Sequence, residues 1–202
     1  MGRADATLLD RLRTETRDAH DALHHHPLLA PLISPRLTLR DYQYALLAFD
    51  AFYGRLDGGV GESAPVRDWL AHDLARQGLK PLVLPGIGLP VLVTESHLWG
   101  YLYVKQGSTL GGTVISRNLT RVLGLNPLSD QQFFAGFGEQ NGTRWKKFIE
   151  NLFSKAAFLD PDETIDTAVA CFRGVAAVCD VVQTLKDQHA LQAPPATDRR
   201  PT

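Results

Sequence analysis

Two places in this sequence hold residue types and spacings that can do chemistry. The first is His20, which falls with Leu12, Thr16 and Leu23 on one side of a helical pattern, so its imidazole is expected to point inward. A neutral imidazole in that setting either bonds a backbone carbonyl or hydroxyl, or ligates a metal through a ring nitrogen. His24 stands four residues later and opens the run His24-His25-His26 before Pro27. The pair could bind a metal, yet the run also suits a helix end, where cations meet the negative pole of the helix dipole. The second place is Gly107-Ser108-Thr109-Leu110-Gly111-Gly112, set inside an apolar helical stretch from Leu98 to Leu125. Each glycine in a helix interior loses roughly 0.5–1 kcal/mol against alanine, so the run carries about 2 kcal/mol of local instability. Gly107 and Gly111 share one face, and with Gly112 they strip a patch of helix of side chains. A flat partner can lie directly against such backbone, and the same glycines allow a kink.

The elements that must position these residues are helical throughout. The first helix is expected over 6–24, with Leu8, Leu9, Leu12, Ala19 and Leu23 at i, i+3, i+4 spacing, and Pro27 ends it. A second starts at an N-cap at Thr38 and runs through Tyr42, Leu46, Phe49 and Phe52 to Asp57-Gly58-Gly59; a third is capped by Ser63, with Val66, Leu70 and Leu74 inward, and stops at Gly78. Residues 80–90, rich in proline and glycine, read as an ordered loop. After the glycine-broken helix, further helices are expected over 129–137, 143–158 and 161–189, the last with Ile165, Val169, Phe172, Ala176 and Cys179 as a buried stripe and Pro161 in its first turn. Leu82-Val83-Leu84 and Val91-Leu92-Val93 are too short and too closely flanked by prolines to make a sheet. The fold class is all-α: one domain over 1–192, followed by a proline-rich stretch over 193–202 that reads as a disordered tail.

Composition narrows the function classes. A chain of 202 residues with 44% hydrophobic content can bury one core, and a net charge of −1 lacks the cationic excess that nucleic-acid binding needs. No apolar leader or membrane-length span is evident, which points to a cytoplasmic protein with neither a nucleic-acid nor a membrane partner. Cys171 and Cys179 lie eight apart in one helical pattern, about 12 Å along its axis, too far for a disulfide. They are expected to be buried thiols.

The stretch Leu12-Arg13-Thr14-Glu15-Thr16-Arg17-Asp18-Ala19-His20 resembles the proximal helix of the heme oxygenases, which ends on the haem-ligating histidine. Tyr103-Val104-Lys105-Gln106-Gly107-Ser108-Thr109-Leu110-Gly111-Gly112-Thr113-Val114-Ile115 resembles the distal helix of the same family. Its form is similar to the bacterial biliverdin-producing branch associated with bacterial phytochromes, and Arg144-Trp145-Lys146-Lys147-Phe148 resembles a downstream Trp-x-x-Phe element of that branch. The resemblance spans about Leu8 to Cys179 in one order.

The resemblance implies a single-domain heme oxygenase-like bundle with haem between a proximal and a kinked distal helix. It makes His20 the iron ligand, gives catalytic roles to Gly107, Ser108 and Gly111, and assigns haem binding to Arg13, Arg17, Tyr103, Gly112 and Lys146, the basic residues meeting the propionates. The implied activity converts haem, with O2 and reducing equivalents, to biliverdin, Fe2+ and CO; haem is both substrate and cofactor. The chain has no glycine-rich nucleotide fingerprint and no cysteine cluster, so a ferredoxin or flavoprotein reductase is the implied electron donor, and a bacteriophytochrome the implied biliverdin acceptor. No histidine follows His97 in the distal segment, in keeping with a site that does not run peroxidase chemistry. Two departures stand out. Ser108 occupies the place of an aspartate that organises distal water in many members, with Arg117 as another polar anchor for such water. Glu150 replaces an arginine four residues after Lys146. Both favour the alternative of a non-catalytic haem carrier or sensor on the same fold. Two other chemistries compete: a thiaminase-like hydrolase needs Cys171 or Cys179 as an activated nucleophile, and a non-haem di-metal oxidase needs helical Glu-x-x-His motifs that the sequence lacks.

Overall fold

Thr7 starts the first helix, α1 (Leu8–Glu15), by accepting the Asp10 N–H at 3.2 Å. Helix α2 (Arg17–His24) follows at once, so the single helix expected over 6–24 is divided at Thr16. The cause is the buried Thr16 hydroxyl, which donates to the Leu12 carbonyl at 2.7 Å, a back-bond that bends helices. The remaining helices in the computed structural model, which describes residues 7–56, 65–84 and 86–192, are α3 (Leu39–Leu56), α4 (Val66–Arg76), α5 (Glu95–Leu123), α6 (Gln132–Ala135), α7 (Asn141–Lys155) and α8 (Pro161–Gln192). Short 3-10 turns lie at Ala30–Ile33, Gly138–Gln140 and Ala156–Phe158, and there is no strand among the described residues. The architecture is all-α, as the periodicity predicts. The stop at Asp57-Gly58-Gly59, the cap at Ser63 and the tail over 193–202 lie outside the described residues.

Helices α5 and α8 form the spine. They approach so closely at Gly100 that a Cβ there would collide with the Thr164 carbonyl of α8 and come within 2.9 Å of the Thr167 Cβ. Helix α3 packs on α8 and α4, and one buried cluster runs from Leu9 through Phe52, Tyr101 and Leu119 to Val182. Cys171 and Cys179 are free thiols within it. Thr38 caps α3 in a reciprocal pair: its hydroxyl accepts the Asp41 N–H at 3.2 Å, and Asp41 Oδ2 accepts the Thr38 N–H at 2.9 Å. Lys186 of α8 donates to Asp41 Oδ1 at 2.6 Å. Burial opposes ionisation of Asp41, but the bonds from Lys186 and Thr38 outweigh it and hold the carboxyl below its ordinary range.

Helix α5 departs from the expectation in two ways. It begins earlier, because Thr94 accepts the His97 N–H at 3.0 Å while His97 Nδ1 accepts the Thr94 N–H at 3.4 Å. It also runs unbroken through 107–112, so the glycines do not interrupt the helix. Tertiary packing overrides propensity here, with Trp145 on one side and the Phe134 backbone on another. The helix expected over 129–137 shrinks to the single turn of α6. Asn126 and Asp130 tie the preceding residues into a turn, with the Asn126 N–H bonded to Asp130 Oδ2 at 2.9 Å, and Gly136 at φ 59° ends the helix. No helix among the described residues is long and apolar enough to cross a membrane.

Candidate functional site

A largely apolar cavity of about 490 Å³ lies between α2, α3, α5, α6 and α8, within the size range that holds cofactors and small organic ligands. The proximal and distal segments read from the sequence both reach it. From α2 come His20, Leu23 and His24; from α5, Tyr103, Gly107, Ser108, Gly111 and Gly112.

His20 is not buried in the core: its side chain is 52% exposed, and α2 has no fully buried residue. Beyond the bend at Thr16, α2 lies along the cavity, so the inward face of the helix meets open space there. The imidazole is nonetheless oriented. Its Nδ1 lies 3.4 Å from Asp21 Oδ1, and ring edges approach it from His24, with centroids 4.6 Å apart at 76°, and from Phe172 of α8 at 5.5 Å and 84°. Burial pushes His24 below the ordinary imidazole value, and the neighbouring His20 acts in the same direction. His26 differs from a solvated cation at a helix end. It is buried, its Nδ1 accepts the Leu28 N–H at 3.1 Å, and its Nε2 is 3.1 Å from Asp180 Oδ1, so the proton sits on Nε2 and ties the chain to α8.

The glycines of α5 divide by role. A Cβ on Gly111 would meet nothing within 4 Å, so this position presents bare backbone to the cavity. A Cβ on Gly107 would lie 3.7 Å from the Trp145 ring, an ordinary contact. Gly112 borders the cavity but is glycine for a packing reason: a Cβ there would come within 2.6 Å of the Phe134 carbonyl of α6. Tyr103 lines the cavity with its ring 5.8 Å from that of Trp145.

Ser108 has a partner that sequence reading misses. Tyr53 of α3, itself 1% exposed, donates its hydroxyl to Ser108 Oγ at 3.3 Å, and Ser108 donates onward to the Lys105 carbonyl at 2.8 Å. The Ser108 proton is thereby committed to the backbone, and its oxygen stays an acceptor at the cavity wall. Tyr53 stands four residues after Phe49, which lines the same cavity; that helical spacing is the signal that was available. The aromatic wall made by Phe133 and Phe134 was also missed. It rides on the short α6, whose first N–H groups are taken by Asp73 of α4: Oδ1 accepts from Gln132 at 2.8 Å and Oδ2 from Phe133 at 2.9 Å. Asp73 is fully buried, and desolvation raises its pKa against the pull of those two bonds.

The cationic residues do not come together at the cavity. Arg13, Arg17, Lys146 and Arg117 are exposed, none lines it, and none holds a carboxylate partner among the described residues. Arg117 therefore does not anchor a distal network. Glu150 is also exposed. Burial pushes Cys171 and Cys179 up to about 12, the reverse of an activated nucleophile, which removes the basis for a cysteine hydrolase. Among the described residues no three His, Cys, Asp or Glu side chains gather in a metal-holding group, which leaves the di-metal reading without a site.

The all-α arrangement that carries this cavity is the heme oxygenase fold. Among solved structures it is similar to the heme oxygenase from Neisseria meningitidis, determined with NO and CO bound, at 20% sequence identity and a TM-score of 0.63 over 96% of this chain and 99% of that one. No protein-family model and no curated protein sequence matches this chain.

Proposed function

We propose that this chain is a heme oxygenase of the biliverdin-producing bacterial type, acting on haem with O2 and externally supplied electrons to give biliverdin, Fe2+ and CO. The observation that carries the reading is the meeting of an accessible imidazole, His20, with the bare backbone of Gly111 on one apolar cavity inside a heme oxygenase fold. The residues fit the group: a planar macrocycle takes apolar walls and a face without Cβ atoms, and its iron takes a neutral nitrogen ligand. When bound, haem supplies the iron centre at which O2 is activated and the ring that is opened.

The protein's own part is to bind, orient and exclude. His20 offers its Nε2 while Asp21, His24 and Phe172 fix the plane of the ring. Gly107, Gly111 and the helix between them close over the other side, and Phe133, Phe134 and Phe172 keep bulk water out. Ser108, its oxygen fixed by the Tyr53 hydroxyl, presents an acceptor at the cavity wall, so a water held there is held through a proton and keeps its lone pairs for the cavity. This pair takes over water positioning from the aspartate that Ser108 replaces. Arg13, Arg17 and Lys146 do not line the cavity, so their part with the propionates would be that of exposed cations outside it, without carboxylate partners among the described residues, while Tyr103 lines the cavity itself. A cytoplasmic ferredoxin or flavoprotein reductase supplies the electrons, and a bacteriophytochrome is the proposed acceptor of the product.

Commitment of the Ser108 proton to Lys105 favours one other reading, a haem carrier or sensor that does not turn over. Haem loading without O2, followed by air and a reductase or ascorbate, separates the two. An oxygenase loses its Soret band and yields biliverdin on chromatography; a Soret band that persists under reductant and O2 refutes the oxygenase. Replacing His20→Ala is expected to abolish the histidine-ligated haem spectrum, with added imidazole restoring it. An unchanged spectrum would reject His20 as ligand.

A further inference from the structure

His20-Asp21-Ala22-Leu23-His24 carries more donor chemistry than a single axial ligand requires. Two imidazoles at i and i+4 on one helix face are the arrangement by which helices chelate zinc, with an acidic residue following the first histidine. The geometry is suited to it. The ring centroids are 4.6 Å apart, and two nitrogens each about 2.0–2.1 Å from a tetrahedral zinc lie about 3.3 Å from one another, a spacing reached by turning the rings. Both side chains line the cavity, and that of His20 is half exposed, so an ion can reach them. The Asp21 carboxylate at His20 Nδ1 is the outer-shell partner that metal-bound imidazoles commonly have, leaving Nε2 for the ion. No third protein side chain joins the pair among the described residues, so water completes the coordination and the site stays exchangeable.

We propose that His20 and His24 form a divalent transition-ion site, of which zinc is the probe, and that its occupation excludes haem from His20. The second half of this rests on His20 being the haem ligand, because one Nε2 lone pair cannot serve two metals. The site is then a brake by which free zinc or a similar ion holds back haem loading.

Calorimetric titration of the full-length, haem-free protein with zinc chloride tests the site, and Soret titrations with haem at fixed zinc test the competition. One zinc per chain is expected. Binding weakens by about tenfold or more in His20→Ala and in both His24→Ala and the more conservative His24→Gln, and is unchanged in His25→Ala. Zinc at ten times the parent's dissociation constant raises the apparent haem dissociation constant about elevenfold in the parent protein and in His25→Ala, and by no more than about twofold in the His24 variants, whatever their own haem affinity. Equal zinc binding by the parent and both His24 variants overturns the site. Zinc bound at the pair with no effect on haem affinity overturns the competition. A parent protein that binds zinc but never haem leaves the site standing and refutes the haem reading instead.

Discussion

Neighbouring glycines of α5 should respond in opposite ways to the same methyl group. In Gly111→Ala the new Cβ meets nothing within 4 Å, so the haem-free protein gains the helix propensity of alanine, about 0.8–1 kcal/mol. For a chain of this size that raises the melting temperature by about 2–4 °C. The methyl then stands where the macrocycle is proposed to lie, and forcing an extra methyl into a close contact costs about 1–3 kcal/mol. Haem affinity should fall roughly 5- to 150-fold. In Gly112→Ala the new Cβ would sit 2.6 Å from the Phe134 carbonyl, a backbone atom that cannot swing away. That overpacking, of the same 1–3 kcal/mol, more than cancels the propensity gain, so the haem-free protein melts lower. Thermal unfolding of both variants without haem, followed by Soret titration, reads both quantities. The reasoning is refuted if Gly111→Ala binds haem as the parent does, or if Gly112→Ala is the more stable of the two.

Three further outcomes are expected. Tyr53→Phe removes the hydroxyl bonded to Ser108 and should slow reductant-driven loss of the Soret band on the order of tenfold; parent-like turnover would remove Tyr53 from water positioning. Asp73→Asn replaces one acceptor facing the α6 N–H groups with an amide donor, costing about 1–3 kcal/mol, so the variant should melt several degrees lower and bind haem more weakly. Asp41→Asn should destabilise by about 2 kcal/mol in a pH-dependent way. Because the folded Asp41 carboxyl titrates below its unfolded value, its contribution is complete above the unfolded pKa and lost as pH falls through the folded one. The gap between parent and variant in denaturant titrations should therefore close under acid; a constant gap would show that ionisation of Asp41 is not what stabilises.

The helices were legible because their apolar spacing is regular, and the glycine run marked the cavity because bare backbone is costly in a helix and needs a reason. What the spacing did not show was decided by tertiary contact. His20 has the periodicity of a core residue, yet it faces a cavity, which periodicity does not distinguish from a packed interior. Gly111 and Gly112 look alike in sequence; only the position of the Phe134 carbonyl separates an open cavity face from a packing contact. Tyr53, Phe133 and Asp73 reach the site or its wall across 55 or more residues from their partners, where no local pattern can signal them. The division of the first helix could be anticipated in principle, since a buried threonine that bonds back to a carbonyl is a local event.

Helix α4 does not border the cavity, yet through Asp73 it carries the two phenylalanines that do. The span of the cavity is therefore specified partly by a helix outside it. A tilt of α4 acts on α6 through two bonds from a single carboxylate, and α6 is one turn long, with no length over which to absorb the displacement. Substitutions on the outer surface of α4 are expected in this way to widen or narrow the cavity while His20 and Gly111 keep their identities.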